Sequence, residues 1–259
     1  MVTKTKSAYV CNDCGADYRK WQGQCTECNA WNTLSEIRLS APARGGKVLR
    51  PGFAGAVDGA VKTLADIALD EIPRISTGTG ELDLVLGGGL VPGSCVLLGG
   101  EPGAGKSTVL LQTLCQLAEN HSSLYVTGEE SPQQIAMRAN RLGLPTDKLE
   151  IMAETSVETV CAIAEQKRPK VLVVDSIQVM HIEEVASAPG SVSQVRESAA
   201  MLVRFAKQTG TVLILVGHVT KDGSLAGPKV LEHMIDCSLM LEGSSDNHFR
   251  TLRSHKNRF

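Results

Sequence analysis

The chain has 259 residues, 42% of them apolar but only 3% aromatic, and a formal net charge of −2. Aliphatic side chains must therefore build its core, as they do in α/β folds whose buried parallel strands are rich in Val, Ile and Leu, and there is length for a small appendage besides. No run approaches the roughly 18 apolar residues of a membrane span, and the polar start Met1 to Lys6 lacks the apolar centre of a signal peptide, so a cytoplasmic address is expected.

The first 50 residues carry eight Lys or Arg against four Asp or Glu, a balance of +4, and the remainder is acidic. A near-neutral total neither demands nor excludes a nucleic acid partner. Within this basic stretch, Cys11-x-x-Cys14 and Cys25-x-x-Cys28 stand ten residues apart. Two such pairs can close one tetrahedral Zn²⁺ site with four sulfurs and no open position for chemistry. Two disulfides are disfavoured in a cytosolic protein, and the spacing does not specially suggest an iron–sulfur centre. A finger over residues 1–38 would draw much of its folding energy from the metal, so its role is structural and one of recognition. Tyr18, Arg19, Lys20, Trp21 and Gln22 form a basic, aromatic cluster. It either lies against nucleic acid or a partner domain, or lets Trp21, with Trp31, pack the small core.

Residues 39–62, rich in Ala, Gly, Pro and Arg without periodicity, read as a linker to a larger domain over 63–259. That domain starts with a short helix bearing Leu82 and Leu86 and a glycine-rich approach to the stretch Gly100-Glu101-Pro102-Gly103-Ala104-Gly105-Lys106-Ser107-Thr108. The stretch fits G-x-x-x-x-G-K-[ST], entered by an apolar strand and left by a helix. Its glycines let successive backbone N–H groups point at phosphate oxygens, Lys106 reaches the β- and γ-phosphates, and Ser107 offers a hydroxyl to Mg²⁺. Nucleoside triphosphate binding is expected.

Strands are predicted at 95–99, 123–127, 171–175 and 212–217, with helices at 106–119, 132–142, 157–167 and 192–208 between them, which implies a parallel sheet covered on both faces. Two further strands at 236–242 and 248–255 suggest an antiparallel extension at the edge. Cys95, Cys115, Cys161 and Cys237 fall singly in apolar runs and read as buried hydrophobes. Asp175, ending its strand, is placed to hold Mg²⁺ through water. Glu129 is the first candidate to orient and deprotonate an attacking water and Glu130 the second, unless both simply open the helix announced by Ser131-Pro132. His218 is either a sensor of the γ-phosphate or an ordinary strand-end residue. Residues 220–229 and 186–194 have the make-up of mobile binding loops.

Taken together, the Cys11/Cys14/Cys25/Cys28 finger, the Gly100 to Thr108 loop, Glu129-Glu130, Val171 to Asp175 and the closing Lys256-Asn257-Arg258-Phe259 resemble the bacterial RadA (or Sms) family of DNA repair and recombination proteins, within the RecA-like ATPases. The family is marked by a KNRFG motif. The resemblance implies a RecA-like P-loop ATPase fold and a ring-forming motor, of hexameric type, that uses ATP, Mg²⁺ and Zn²⁺. It implies that the motor binds single-stranded DNA, promotes branch migration of recombination intermediates and cooperates with the RecA recombinase. Lys256 and Arg258 would then face the nucleotide of a neighbouring subunit, and loops 186–194 and 220–229 would line the DNA channel. Family members continue into a Lon-like domain, so the chain is expected to be part of a longer protein. The alternative is a zinc-containing, KaiC-like nucleotide-binding regulator acting on a protein partner.

Overall fold

Alternation of apolar strands with amphipathic helices becomes, in the computed structural model, a mostly parallel α/β sheet, with a small antiparallel sheet preceding it in the sequence. The structure describes residues 6–11, 16–39, 63, 73–218, 229–243 and 249–259. Cys14, all of the linker 39–62 except residue 39, and nearly all of the loop 220–229 lie outside the described residues.

The small sheet has the order β2-β1-β3, from β1 (Lys6–Cys11), β2 (Asp17–Tyr18) and β3 (Leu34–Leu39). Its core is minimal: Cys11, Cys25 and Leu34 are buried, with Tyr9, Ala16 and Tyr18 packed against them. Trp21 and Trp31 do not contribute. They are 58% and 68% exposed, which removes the reading that they pack this core.

The main sheet has seven strands in the order β10-β9-β4-β8-β7-β5-β6. They are β4 (Cys95–Gly100), β5 (Ser123–Thr127), β6 (Glu150–Ala153), β7 (Val171–Asp175), β8 (Val212–His218), β9 (Cys237–Gly243) and β10 (Arg250–Asn257). Only β10 runs antiparallel, beside β9 at the edge. Alternate residues of the central strands supply two cores, as the period of two in a strand requires. Leu97, Leu172, Val174, Leu213 and Leu215 face α4 (Val157–Lys167) and α5 (Val192–Thr209). Val96, Leu98, Val171, Val173, Ile214 and Val216 face α1 (Gly80–Leu86), α2 (Lys106–Ala118) and α3 (Pro132–Arg141). On α5, Val195, Ala199, Leu202, Val203 and Ala206 recur at helical spacing and are all buried.

Helix starts follow the side chains written for them. Ser131 accepts from Gln134 N–H while the Gln134 amide accepts from Ser131 N–H, and Pro132 opens α3. Ser156 and Ser191 cap α4 and α5 by accepting from the Thr159 and Gln194 N–H groups. Among the described residues, no helix is long and apolar enough to cross a membrane.

At the amino end of the sheet a buried carboxylate ties four elements together. Asp236, 5% exposed, accepts from Cys95 N–H at 3.0 Å and from Lys207 Nζ at 2.5 Å, and its other oxygen lies 3.7 Å from the Arg258 guanidinium. Its main chain donates to the Cys95 carbonyl and accepts from Arg258 N–H. Removing one partner of a buried ion pair leaves an uncompensated charge at a cost of about 3–5 kcal/mol. Asp236→Ala should therefore lose about that much stability in urea unfolding, and a loss below about 1 kcal/mol would mean that Lys207 and Cys95 find other partners.

Candidate functional site

Parallel pairing brings the carboxyl ends of β4, β8, β7 and β5 to one edge, and the polar residues that follow those strands meet there. The turn after β4 is shaped by its glycines. A side chain on Gly100 would place its Cβ 2.5 Å from the Leu241 carbonyl oxygen of β9, so backbone contact alone excludes one. Gly105, at φ 101°, forms the left-handed cap from which α2 starts. Between them Glu101, Pro102 and Gly103 are exposed, whereas Ala104 is buried, donating its N–H to the Glu101 carbonyl and accepting from Arg250 Nε at 3.2 Å. Ser107 and Thr108 sit half-buried in the first turn of α2.

Lys106 turns inward. It is 4% exposed, and its Nζ donates to the carbonyls of Gly100 at 2.8 Å and Glu101 at 2.9 Å. Burial pushes its pKa down, and the carboxylates of Asp175 and Glu129 oppose that shift.

Asp175 ends β7, is 8% exposed and accepts from the Tyr125 hydroxyl at 2.5 Å. Tyr125 is fully buried on β5, and burial first, then the charge and hydrogen bond of Asp175, push its pKa up. The two glutamates after β5 go to different places. Glu129 accepts from Ser176 Oγ, which immediately follows Asp175, and lies 3.4 Å from His218 Nε2 at the end of β8. Glu130 instead pairs with Arg138 on α3, and its main chain is held by the Thr127 hydroxyl. Lys106, Asp175, Glu129, Ser176 and His218 thus form one group, and Glu130 stands apart from it.

Lys256 and Arg258 also stand apart. Lys256 Nζ donates to the carbonyls of Glu232 and Ile235, the latter at 2.8 Å, and Arg258 lies beside Asp236. Through β9 and the Asp236–Cys95 hydrogen bond, Arg258 is level with the start of β4, roughly 17 Å along the strand direction from Gly100. Asn257 donates to the Leu86 carbonyl at the end of α1, fastening the closing tetrapeptide there.

Residues 186–191 are a loop, as their composition predicts, leading into α5. Residues 192–194 begin α5, and the buried Gln194 amide accepts from Ile182 N–H and donates to the carbonyls of Ile182, Val185 and Ser187. One side chain staples the segment. Sequence reading passed over Tyr125, Ser176, Asp236 and Gln194; only Ser176, beside the strand-ending Asp175, carries a positional signal.

In the N-terminal sheet the sulfurs of Cys11, Cys25 and Cys28 lie within 4.8 Å of one another, Cys11 and Cys28 at 3.6 Å. A disulfide needs about 2.05 Å, whereas sulfurs held tetrahedrally about 2.3 Å from Zn²⁺ are about 3.8 Å apart, so the three fit the metal. Tyr18 reaches Cys25 Sγ at 3.2 Å and Thr33 reaches Cys11 Sγ at 3.1 Å, a second layer around the thiols.

Comparison with known proteins agrees with both halves. A family described as an AAA domain matches residues 68–224, and one described as a rubredoxin metal binding domain matches residues 9–36. The DNA repair protein RadA of Escherichia coli is 63% identical over 261 residues, and that of Bacillus subtilis 46% over 262, each alignment covering the whole chain. The chain spans 57% and 56% of those two relatives. Among solved structures, a KaiC-like protein from Pyrococcus horikoshii superposes with a TM-score of 0.61 at 22% identity, over 72% of this chain and 89% of that one, a likeness of fold.

Two outcomes are expected. Purified chain should carry about one zinc, and stripping it with a chelator should shift tryptophan emission, because both tryptophans lie in that segment; a zinc-free chain with unchanged emission would remove the metal assignment. Tyr125→Phe should cost about 1–3 kcal/mol in thermal or urea unfolding, since it leaves a buried Asp175 oxygen without its donor.

Proposed function

Since the chain belongs to the AAA-domain family and to the bacterial RadA DNA repair proteins, we propose that it hydrolyses ATP and couples hydrolysis to movement on single-stranded DNA during repair, promoting branch migration of recombination intermediates. The observation that carries this reading is the gathering of Lys106, Asp175, Glu129, Ser176 and His218 at the carboxyl edge of the sheet, beside the glycine turn. Its division of labour would be a zinc finger over 1–38, a linker over 39–62 and the ATPase domain over 63–259.

In this site Lys106 exchanges the carbonyls of Gly100 and Glu101 for phosphate oxygens. A buried ammonium with two neutral acceptors gains most from an anion arriving within reach. The positive end of α2, whose first-turn N–H groups have no partner within the helix, stands behind that turn. Ser107 and, through water, Asp175 would hold Mg²⁺, which would neutralise phosphate charge. Tyr125 fixes one oxygen of Asp175 and with it the orientation of the carboxylate. Glu129 is the acceptor for a proton of the attacking water, and Ser176 orients its carboxylate. His218, touching Glu129 from β8, would register the state of that carboxylate and pass it to the residues following the strand. Glu130, paired with Arg138, is the less suited of the two to act as base.

Lys256 and Arg258, a sheet's length from Lys106 in the same chain, would serve a neighbouring subunit's nucleotide in a ring, hexameric in the whole protein, that works with the RecA recombinase on DNA. The KaiC-like regulator is the weaker reading, because that likeness is one of fold at 22% identity.

Lys106→Ala should weaken nucleotide binding by about 10- to 150-fold, the worth of a charge-assisted hydrogen bond; unchanged affinity in a fluorescent-nucleotide titration would refute the phosphate role. Glu129→Gln should keep nucleotide affinity while slowing turnover about 10²- to 10⁴-fold in steady-state assays with single-stranded DNA present, and Glu130→Gln should slow it far less. Normal turnover in Glu129→Gln with a large loss in Glu130→Gln would move the role of base to Glu130.

A further inference from the structure

The chain has two tryptophans, and the structure leaves both in solvent, Trp21 58% and Trp31 68% exposed. Indoles carry large apolar area and are ordinarily highly buried. The fold also brings these two together. Gln24 and Trp31 pair as an antiparallel bridge and Asn32 N–H donates to the Gly23 carbonyl at 2.7 Å, so the two short segments run side by side. Between the indoles lies Gly23, which has no side chain. The point where its Cβ would stand is 3.7 Å from the Trp31 ring and 3.9 Å from the Trp21 ring. A flat group resting over Gly23 would touch both rings at van der Waals distance.

What surrounds this slot decides its occupant. Arg19 and Lys20, both exposed, lead directly into Trp21, and Gln22, Gln24, Ala30 and Asn32 are the remaining neighbours in sequence. An apolar protein segment seeks a contiguous apolar patch, whereas here two aromatic faces stand in a basic, amide-rich frame. Aromatic platforms beside cations are how proteins hold unpaired bases, the rings stacking on the base and the cations meeting the phosphates on either side. We propose that the Trp21–Gly23–Trp31 slot stacks an unpaired nucleobase of a single strand, with Arg19 and Lys20 on the adjoining phosphates. This rests on the reading of the protein as one that acts on single-stranded DNA, and adds to it a second contact remote in sequence from the nucleotide site.

Because no other tryptophan exists in the chain, tryptophan emission, excited at a wavelength its three tyrosines do not absorb, reports this slot alone. Titrating the zinc-loaded chain with oligothymidylate should quench that emission saturably, and added salt should weaken the effect. Trp21→Ala and Trp31→Ala should each weaken oligonucleotide binding by about 5- to 160-fold in anisotropy, with zinc content and nucleotide affinity unchanged. Gly23→Val, which fills the slot and leaves both indoles in place, should abolish the quenching. If labelled oligothymidylate binds while emission stays constant and the tryptophan variants bind normally, the slot is refuted and the DNA reading stands. If no oligonucleotide binds at low salt, both fail. Quenching by a protein partner but not by DNA would overturn the proposal in favour of a protein-docking surface.

Discussion

A lysine ammonium removed from water has to be surrounded by oxygen, and the main body of this protein is arranged around one such group. Lys106 is almost wholly buried, its hydrogen bonds go to main-chain carbonyls of the turn it closes, and the carboxylates of Asp175 and Glu129 are close enough to oppose the cost of its burial. Each requirement selects a neighbour. The carbonyls of Gly100 and Glu101 can reach Lys106 because the turn is tight, and the turn is tight because Gly100 presses against the Leu241 carbonyl with no side chain between them. The carboxylates arrive on adjacent strands whose shared direction delivers their last residues to the same edge.

Burial also sorts groups that the sequence cannot separate. Glu129 and Glu130 are consecutive acids before a helix, identical in type and one residue apart in distance from the strand. Glu130 finds Arg138 two turns into α3, and Glu129 finds Ser176 across the sheet from β7. Arg138 is a local partner, eight residues on; Ser176 is 47 residues away and reaches Glu129 because β5 and β7 are neighbours. A local ion pair uses up one carboxylate, and a non-local hydroxyl orients the other toward the group's centre.

Most of the fold was legible in the sequence because its signals are local. The glycine turn, the apolar runs at 95–99, 123–127, 171–175 and 212–217, the Ser-Pro start of α3 and the antiparallel edge all appear where the residues predict them. β6 escaped notice because only four residues form it and its side chains are largely exposed, so no apolar run announces it. Asp236 and Gln194 were invisible for a different reason. Each is a polar residue in an ordinary context whose partners come from elsewhere: Cys95, 141 residues from Asp236, and the loop 182–187 folded back on Gln194. The tryptophans were misjudged in one of two readings because composition argues for burying indoles, whereas the small sheet is already filled by Cys11, Cys25 and Leu34.

Three of the four cysteines of the main body, Cys161 being only half-buried against the expectation for it, have a use in the laboratory that follows from their seclusion. Cys95 on β4, Cys115 on α2 and Cys237 on β9 are shut away from solvent, and burial pushes their pKa values up, Cys237 to about 11. A thiol so protonated and enclosed is inert to alkylating reagents until the surrounding structure opens. Labelling at each position is then a stopwatch for a different layer, timing how often the strand beneath the phosphate turn, the helix that leaves it and the edge carrying the final tetrapeptide come apart.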